Sequence, residues 1–190
     1  SLAGASSRFI TFALGKGDMD NLKRIFGNIV SIHVLFALIV LILGETIGLW
    51  FVTTQLNIPE GRETAAFWVY QFSIFTVMGS FVSMPYNAAI IAHEKMSAFA
   101  YLTIGDAILK LAAVFLLMIS PYDKLILYAL FILCIQFFDF IVYILYCSHK
   151  FKETRLSWLK IDKSLFKEIF YYAGWTMNGN LAAFGYTQGL

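Results

Sequence analysis

Long apolar runs broken by short charged patches dominate the chain. Residues 25–52 carry Glu45 as their one acidic or basic side chain, residues 64–92 carry none, and residues 97–119 carry Asp106 and Lys110. Residues 125–148 carry only Asp139, and residues 169–190 carry none. A spanning helix needs about 20 mostly apolar residues, so each run predicts a transmembrane helix. Residues 1–14 read as the last turns of another helix, interrupted by Arg8 and closed by the turn-forming Gly15-Lys16-Gly17-Asp18. The expected fold is all-α, a polytopic transmembrane helical bundle. The start at Ser1 and the end inside an apolar stretch give the expectation of a fragment of a longer protein.

Composition sharpens this picture. At 59% hydrophobic and 14% charged residues, with a mean hydropathy of +0.73, the chain lies far from soluble domains, of which about 25% is charged. A net charge of +2 with no phosphate loop excludes nucleic acid as a partner. No charged leader with a cleavage site is read at the start, and the expectation is that the helices themselves direct insertion. Cys134 and Cys147 lack metal or redox spacing and read as packing residues, and no cofactor is expected.

Charge placement sets the expected orientation. Residues 8–24 sum to +2 and residues 149–168 to +3, whereas residues 57–64 sum to −1. The connections near 15–24, 93–96 and 149–168 are therefore assigned to the cytoplasm, and those at 53–63 and 120–124 to the outside. The 93–96 turn follows by alternation, because Glu94 and Lys95 cancel. Trp50, Trp68, Tyr122, Tyr146, Trp158, Tyr171 and Trp175 lie near run ends and read as interfacial anchors. The basic, amphipathic stretch 150–168 suits a helix lying along the inner interface, with Asp162 capping the helix that follows.

Polar groups within the spans are the candidate chemistry. Ser73, Thr76, Ser80, Ser83 and Asn87 share one helix face, as do Gln136, Asp139, Tyr143 and Tyr146. Close helix packing explains the first stripe at least as well as a cavity lining. Asp106 and Lys110, four residues apart, form an expected intramembrane ion pair that either serves transport or locks helices together. Asp139 lacks a basic neighbour one turn away, so a proton or a partner such as Lys110 is expected. Arg8, roughly 12 Å into its span, either snorkels or meets a phosphate. Glu45 between Gly44 and Gly48 fits a packing motif or an exposed carboxylate, and His33 alone is uninformative. Pro85 predicts a kink or loosening at the inner end of the 64–92 helix and is the hinge candidate.

The stretch Pro85-Tyr86-Asn87-Ala88-Ala89-Ile90-Ile91-Ala92-His93-Glu94-Lys95-Met96, with Phe99-Ala100-Tyr101 and Leu109-Lys110-Leu111, resembles the bacterial polysaccharide flippases, the Wzx-type O-antigen transporters. Further likeness lies in Ser7-Arg8 to Gly15-Lys16-Gly17-Asp18, in Lys160-Ile161-Asp162-Lys163-Ser164-Leu165, and in Gly174-Trp175 to Gly185-Tyr186-Thr187-Gln188-Gly189. The resemblance implies helices two to seven of a transporter with twelve or more, in the superfamily that also holds the MATE exporters and lipid II flippases. Residues 1–168 would belong to the first six-helix half and 169–190 to the first helix of the second. It implies translocation of undecaprenyl-pyrophosphate-linked oligosaccharide across the bacterial inner membrane for O-antigen or capsule, without covalent chemistry. Membrane lipids and the polysaccharide polymerase machinery are the implied partners, and H+ or Na+ coupling is implied. Under this reading the substrate-cavity candidates are Arg8, Lys110, Asp106, Asp139, Gln136, Ser80 and Asn87, with Asp106 and Asp139 as ion-coupling candidates. The alternatives are a MATE-type multidrug antiporter, a membrane enzyme of the same pathway, which would need an acid/base set or a large polar loop, and a structural scaffold.

Overall fold

A computed structural model describes residues 2–155, 162–172, 174 and 175. In order, the chain forms α1 (Leu2–Lys16), α2 (Met19–Leu43), a π-helical turn (Gly44–Gly48), α3 (Leu49–Thr54), α4 (Glu63–Ala92), α5 (Met96–Ile119) and α6 (Lys124–Lys150). A 3-10 turn (Lys152–Thr154) follows, and residues 163–172 are again helical. Among the described residues there is no strand. Four helical runs among the described residues are long and apolar enough to cross a membrane: Met19–Thr54, Glu63–Ala92, Met96–Ile119 and Lys124–Lys150. They lie where the apolar runs predict them. The run at 169–190 falls largely outside the described residues, as do Trp158 and the motif at 185–189.

The helix ends follow from local chemistry. Gly17 takes a positive φ of 71° just past α1, where the absent Cβ removes the left-handed penalty. The Asp18 carboxylate then accepts from the Asp20 and Asn21 N–H groups, each at 3.1 Å, and opens α2. At the far end of α4 the chain turns with a Schellman pattern: Lys95 N–H donates to Ile90 and Glu94 N–H to Ile91. Here the left-handed position is held by Glu94, at φ 55°. Asp162 caps as expected, accepting from the N–H groups of Ser164 and Leu165.

The chain divides into two compact units. Unit 1 comprises Ser1–His33, Met84–Phe99 and Tyr143–Leu190. Ile10, Leu22, Ile29, Ile90 and Ile169 are fully buried there. Arg24 pairs with Asp162 at 3.3 Å, and the buried Asn28 accepts from the Asp162 N–H while donating to the Arg24 carbonyl. After α6 the chain turns inward. The Phe151 ring stacks on His93 with centroids 4.0 Å apart, and His93 Nε2 donates to Glu153. Glu153 and Thr154 are buried, and Arg155 Nε returns to the Ser148 carbonyl at 3.0 Å. An interfacial helix spanning 150–168 is therefore corrected: residues 151–155 are folded into the unit, because Phe151 and Glu153 find His93 there. The Tyr146 ring is half-buried and meets Phe151 edge-on. Trp50, Trp68, Tyr122, Tyr171 and Trp175 are exposed, as anchors require.

Unit 2 comprises Val34–Ser83 and Ala100–Val142. Arg62 pairs with Asp123, which also accepts from the Leu125 N–H at the start of α6. That backbone bond, ahead of the Arg62 charge, holds the Asp123 carboxyl below its usual range. Gly79 lets α4 approach α6, because a Cβ there would stand 2.9 Å from the Gln136 side chain. Cys134 is exposed rather than packed, whereas Cys147 in unit 1 is buried beside the Tyr86 carbonyl.

Pro85 lies near the Ala92 end of α4. The helix runs unbroken to Ala92 and the proline ring is fully buried.

Candidate functional site

Helix periodicity puts Asp106 and Lys110 on one face of α5, and Lys110 Nζ donates to Asp106 Oδ2 at 2.8 Å. Asp106 lies ten residues, about 15 Å, from the Met96 end of α5, and Asp139 lies eleven residues, about 16 Å, from the Lys150 end of α6. The two helices follow one another through a short turn, so the two carboxyls stand at matching depth. Asp139 lies near enough to Asp106 and Lys110 for the three charges to act on one another. Two ionised carboxylates offer only acceptors, so a bond between them exists only when one carries a proton. Asp106 Oδ1 is buried and has no donor in the structure.

These groups open into a groove of about 320 Å³ between α5 and α6. Tyr101, Gly105, Ile108, Phe138 and Val142 contribute its walls, and Asp106 and Asp139 its polar floor. Outside the groove, α5 and α6 are largely exposed along their length, with Ile104, Leu111, Phe115 and Leu145 all open. The arrangement holds two acids against one lysine that is already engaged. Chemically it can bind and release a proton, or hold a cation against apolar and aromatic walls.

The other sequence candidates lie elsewhere. Gln136 donates to Ser83 Oγ at 3.3 Å, and Ser80 turns back to the Val77 carbonyl at 2.7 Å. Ser73, Thr76 and Ser83 also bond carbonyls of their own helix, so the α4 stripe is mostly satisfied locally. Asn87 donates to the Tyr143 hydroxyl at 3.4 Å in unit 1. Arg8, also in unit 1, does not snorkel freely. It donates to the Tyr172 hydroxyl at 2.6 Å with its guanidinium 5.1 Å from the ring centre. Sequence reasoning missed the groove walls and the His93–Glu153 contact. The walls carried one legible signal, Gly105 next to Asp106 among apolar neighbours. No chemistry-specific spacing marks residues 93 and 153. Among the described residues no cluster of His, Cys, Asp and Glu fits a metal. Comparison with family models, curated proteins and solved structures finds no match for the chain.

Proposed function

We propose that the chain works in a transporter of the bacterial inner membrane that moves undecaprenyl-pyrophosphate-linked oligosaccharide from the cytoplasmic to the outer leaflet. The observation that carries the transporter reading is the Asp106–Lys110–Asp139 cluster at mid-depth of two apolar helices. Ionisable groups at that depth are costly and mark ion or substrate paths. The substrate class rests on the resemblance around Pro85–Met96. In this reading Asp106 and Asp139 exchange the coupling ion, H+ or Na+, while Lys110 keeps the site from accumulating two bare negative charges. Arg8, held by Tyr172, supplies a cation for the pyrophosphate. The basic turns face the cytoplasm by the charge bias of their sequence.

A second reading is favoured by one feature of the groove. Two carboxylates with aromatic Tyr101 and Phe138 suit a hydrophobic organic cation, the cargo of a MATE-type antiporter.

Translocation in sealed vesicles tests both readings, scored as lipid-linked sugar becoming accessible to a membrane-impermeant reagent under an imposed proton or sodium gradient. The flippase reading expects accessibility above that of empty vesicles. It also expects Asp106→Asn and Asp139→Asn to remove the gradient dependence, and Arg8→Ala and Lys110→Ala to slow translocation at matched insertion. No rise with several lipid-linked sugars, together with gradient-driven uptake of a fluorescent organic cation, would replace it with antiport.

A further inference from the structure

The spanning run Met19–Thr54 is not a uniform helix. Over Gly44–Gly48 it widens into a π-turn in which the Leu49 N–H donates to the Gly44 carbonyl, five residues back. Such turns are rare single insertions in α-helices. Three contacts within unit 2 hold this one. The Tyr70 hydroxyl of α4 donates to the same Gly44 carbonyl at 2.7 Å. Gln71, the next residue, donates to the Glu45 carboxylate at 3.2 Å. Thr46 Oγ1 returns to the Ile42 carbonyl at 2.6 Å.

Gly48 supplies the geometry that makes Tyr70 decisive. A Cβ at residue 48 would lie 1.9 Å from the Tyr70 hydroxyl oxygen, so the phenol occupies the space of the missing side chain. If the turn tightened to α geometry, the segment beyond it would move by one residue of register, about 100° around the axis and about 1.5 Å along it. Ile47 or Leu49 would then turn toward the phenol in place of Gly48 and collide with it.

We propose that Gly44–Gly48 is a two-register joint: a π register pinned by Tyr70, and an α register reached when Tyr70 withdraws, which turns α3 and the exposed Trp50 and Phe51 to a different face. The joint is independent of the transport reading, because it requires neither a substrate nor the α5–α6 groove.

Single cysteines placed one at a time at residues 49–54 in a Cys134→Ser background read the register through their labelling by a water-soluble maleimide in reconstituted vesicles. Cys147 is buried and contributes little background. A chain lacking Thr46 fixes the reference for the π register, since deleting one residue removes the π insertion and leaves the residues beyond it facing as in the wild type. The expected result is that Tyr70→Phe moves the labelling pattern by one residue, away from that shared by the wild type and the deletion, with maxima and minima differing at least several-fold. Gly48→Ala, which expels the phenol sterically while keeping Tyr70, is expected to do the same. Should either variant fail to insert, the other decides. An unshifted pattern in a variant that inserts at wild-type level overturns the joint, as does a deletion pattern displaced from that of the wild type.

Discussion

His93 and Glu153 show how a single contact can bind distant parts of the sequence. Burial alone would raise the Glu153 carboxyl, but the hydrogen bond from His93, its own backbone N–H and the nearby imidazole outweigh it, and the group is held below the usual glutamate value of 4.5. A carboxyl lowered on folding contributes stability above its unfolded value and loses it as pH falls through the folded value. His93→Ala should therefore cost about 2–3 kcal/mol at neutral pH, because Glu153 is left buried without its side-chain donor. Thermal unfolding in detergent checks this, and the gap between variant and wild type should shrink below pH 4.5, as Glu153 becomes neutral in both. Glu94 offers the opposite sign. Its left-handed backbone costs a side-chain-bearing residue about 1–2 kcal/mol, part of which glycine returns as chain entropy. Glu94→Gly should accordingly raise stability by roughly 0.5–1 kcal/mol in the same assay, and a drop would mean that the Glu94 side chain makes a contact worth more than the strain.

At the scale of elements, the apolar runs made the helices legible, and Gly17, Asp18 and Asp162 made several of their ends legible, because caps act within a few residues. Asp106 and Lys110 were likewise readable, being one turn apart on one helix. What was not readable depends on how one helix faces another. The meeting of Asp139 with Asp106, the tie of Arg8 to Tyr172, and the seat of Tyr70 on Gly44 each require an inter-helix register that periodicity leaves free. Residues 151–155 misled for the same reason: their place in an amphipathic stretch suits an interface, but burial of Phe151 against His93 competes and wins. Helix contact also gives Gly79 its meaning. With Gln136 Cγ 2.9 Å from the position of a Cβ, Gly79→Val should force α4 and α6 apart and cost about 1–3 kcal/mol. Gly105, with nothing near its Cβ position, is the matched control and should tolerate Ala, as denaturation of purified variants would show.

Across the whole chain, charge and polarity are segregated. Apart from Arg62, Lys110 and Lys124, every Lys and Arg falls within the sequence ranges of unit 1. Such a bias favours insertion with those turns on the cytoplasmic side. The mid-depth acids belong to unit 2, so the residues that set topology and those that form the groove are separate. Mutations of one set can then be interpreted without confusing them with the other. The length of the Met19–Thr54 run carries one more consequence. At 36 residues it reaches about 54 Å if straight, against a hydrocarbon slab of about 30 Å. The excess is accommodated by tilt or by emergence into the headgroups, at a cost that varies with bilayer thickness. Thermal stability in vesicles of phosphatidylcholines with progressively longer acyl chains should therefore pass through an optimum, and the protein would respond to the thickness of its host membrane.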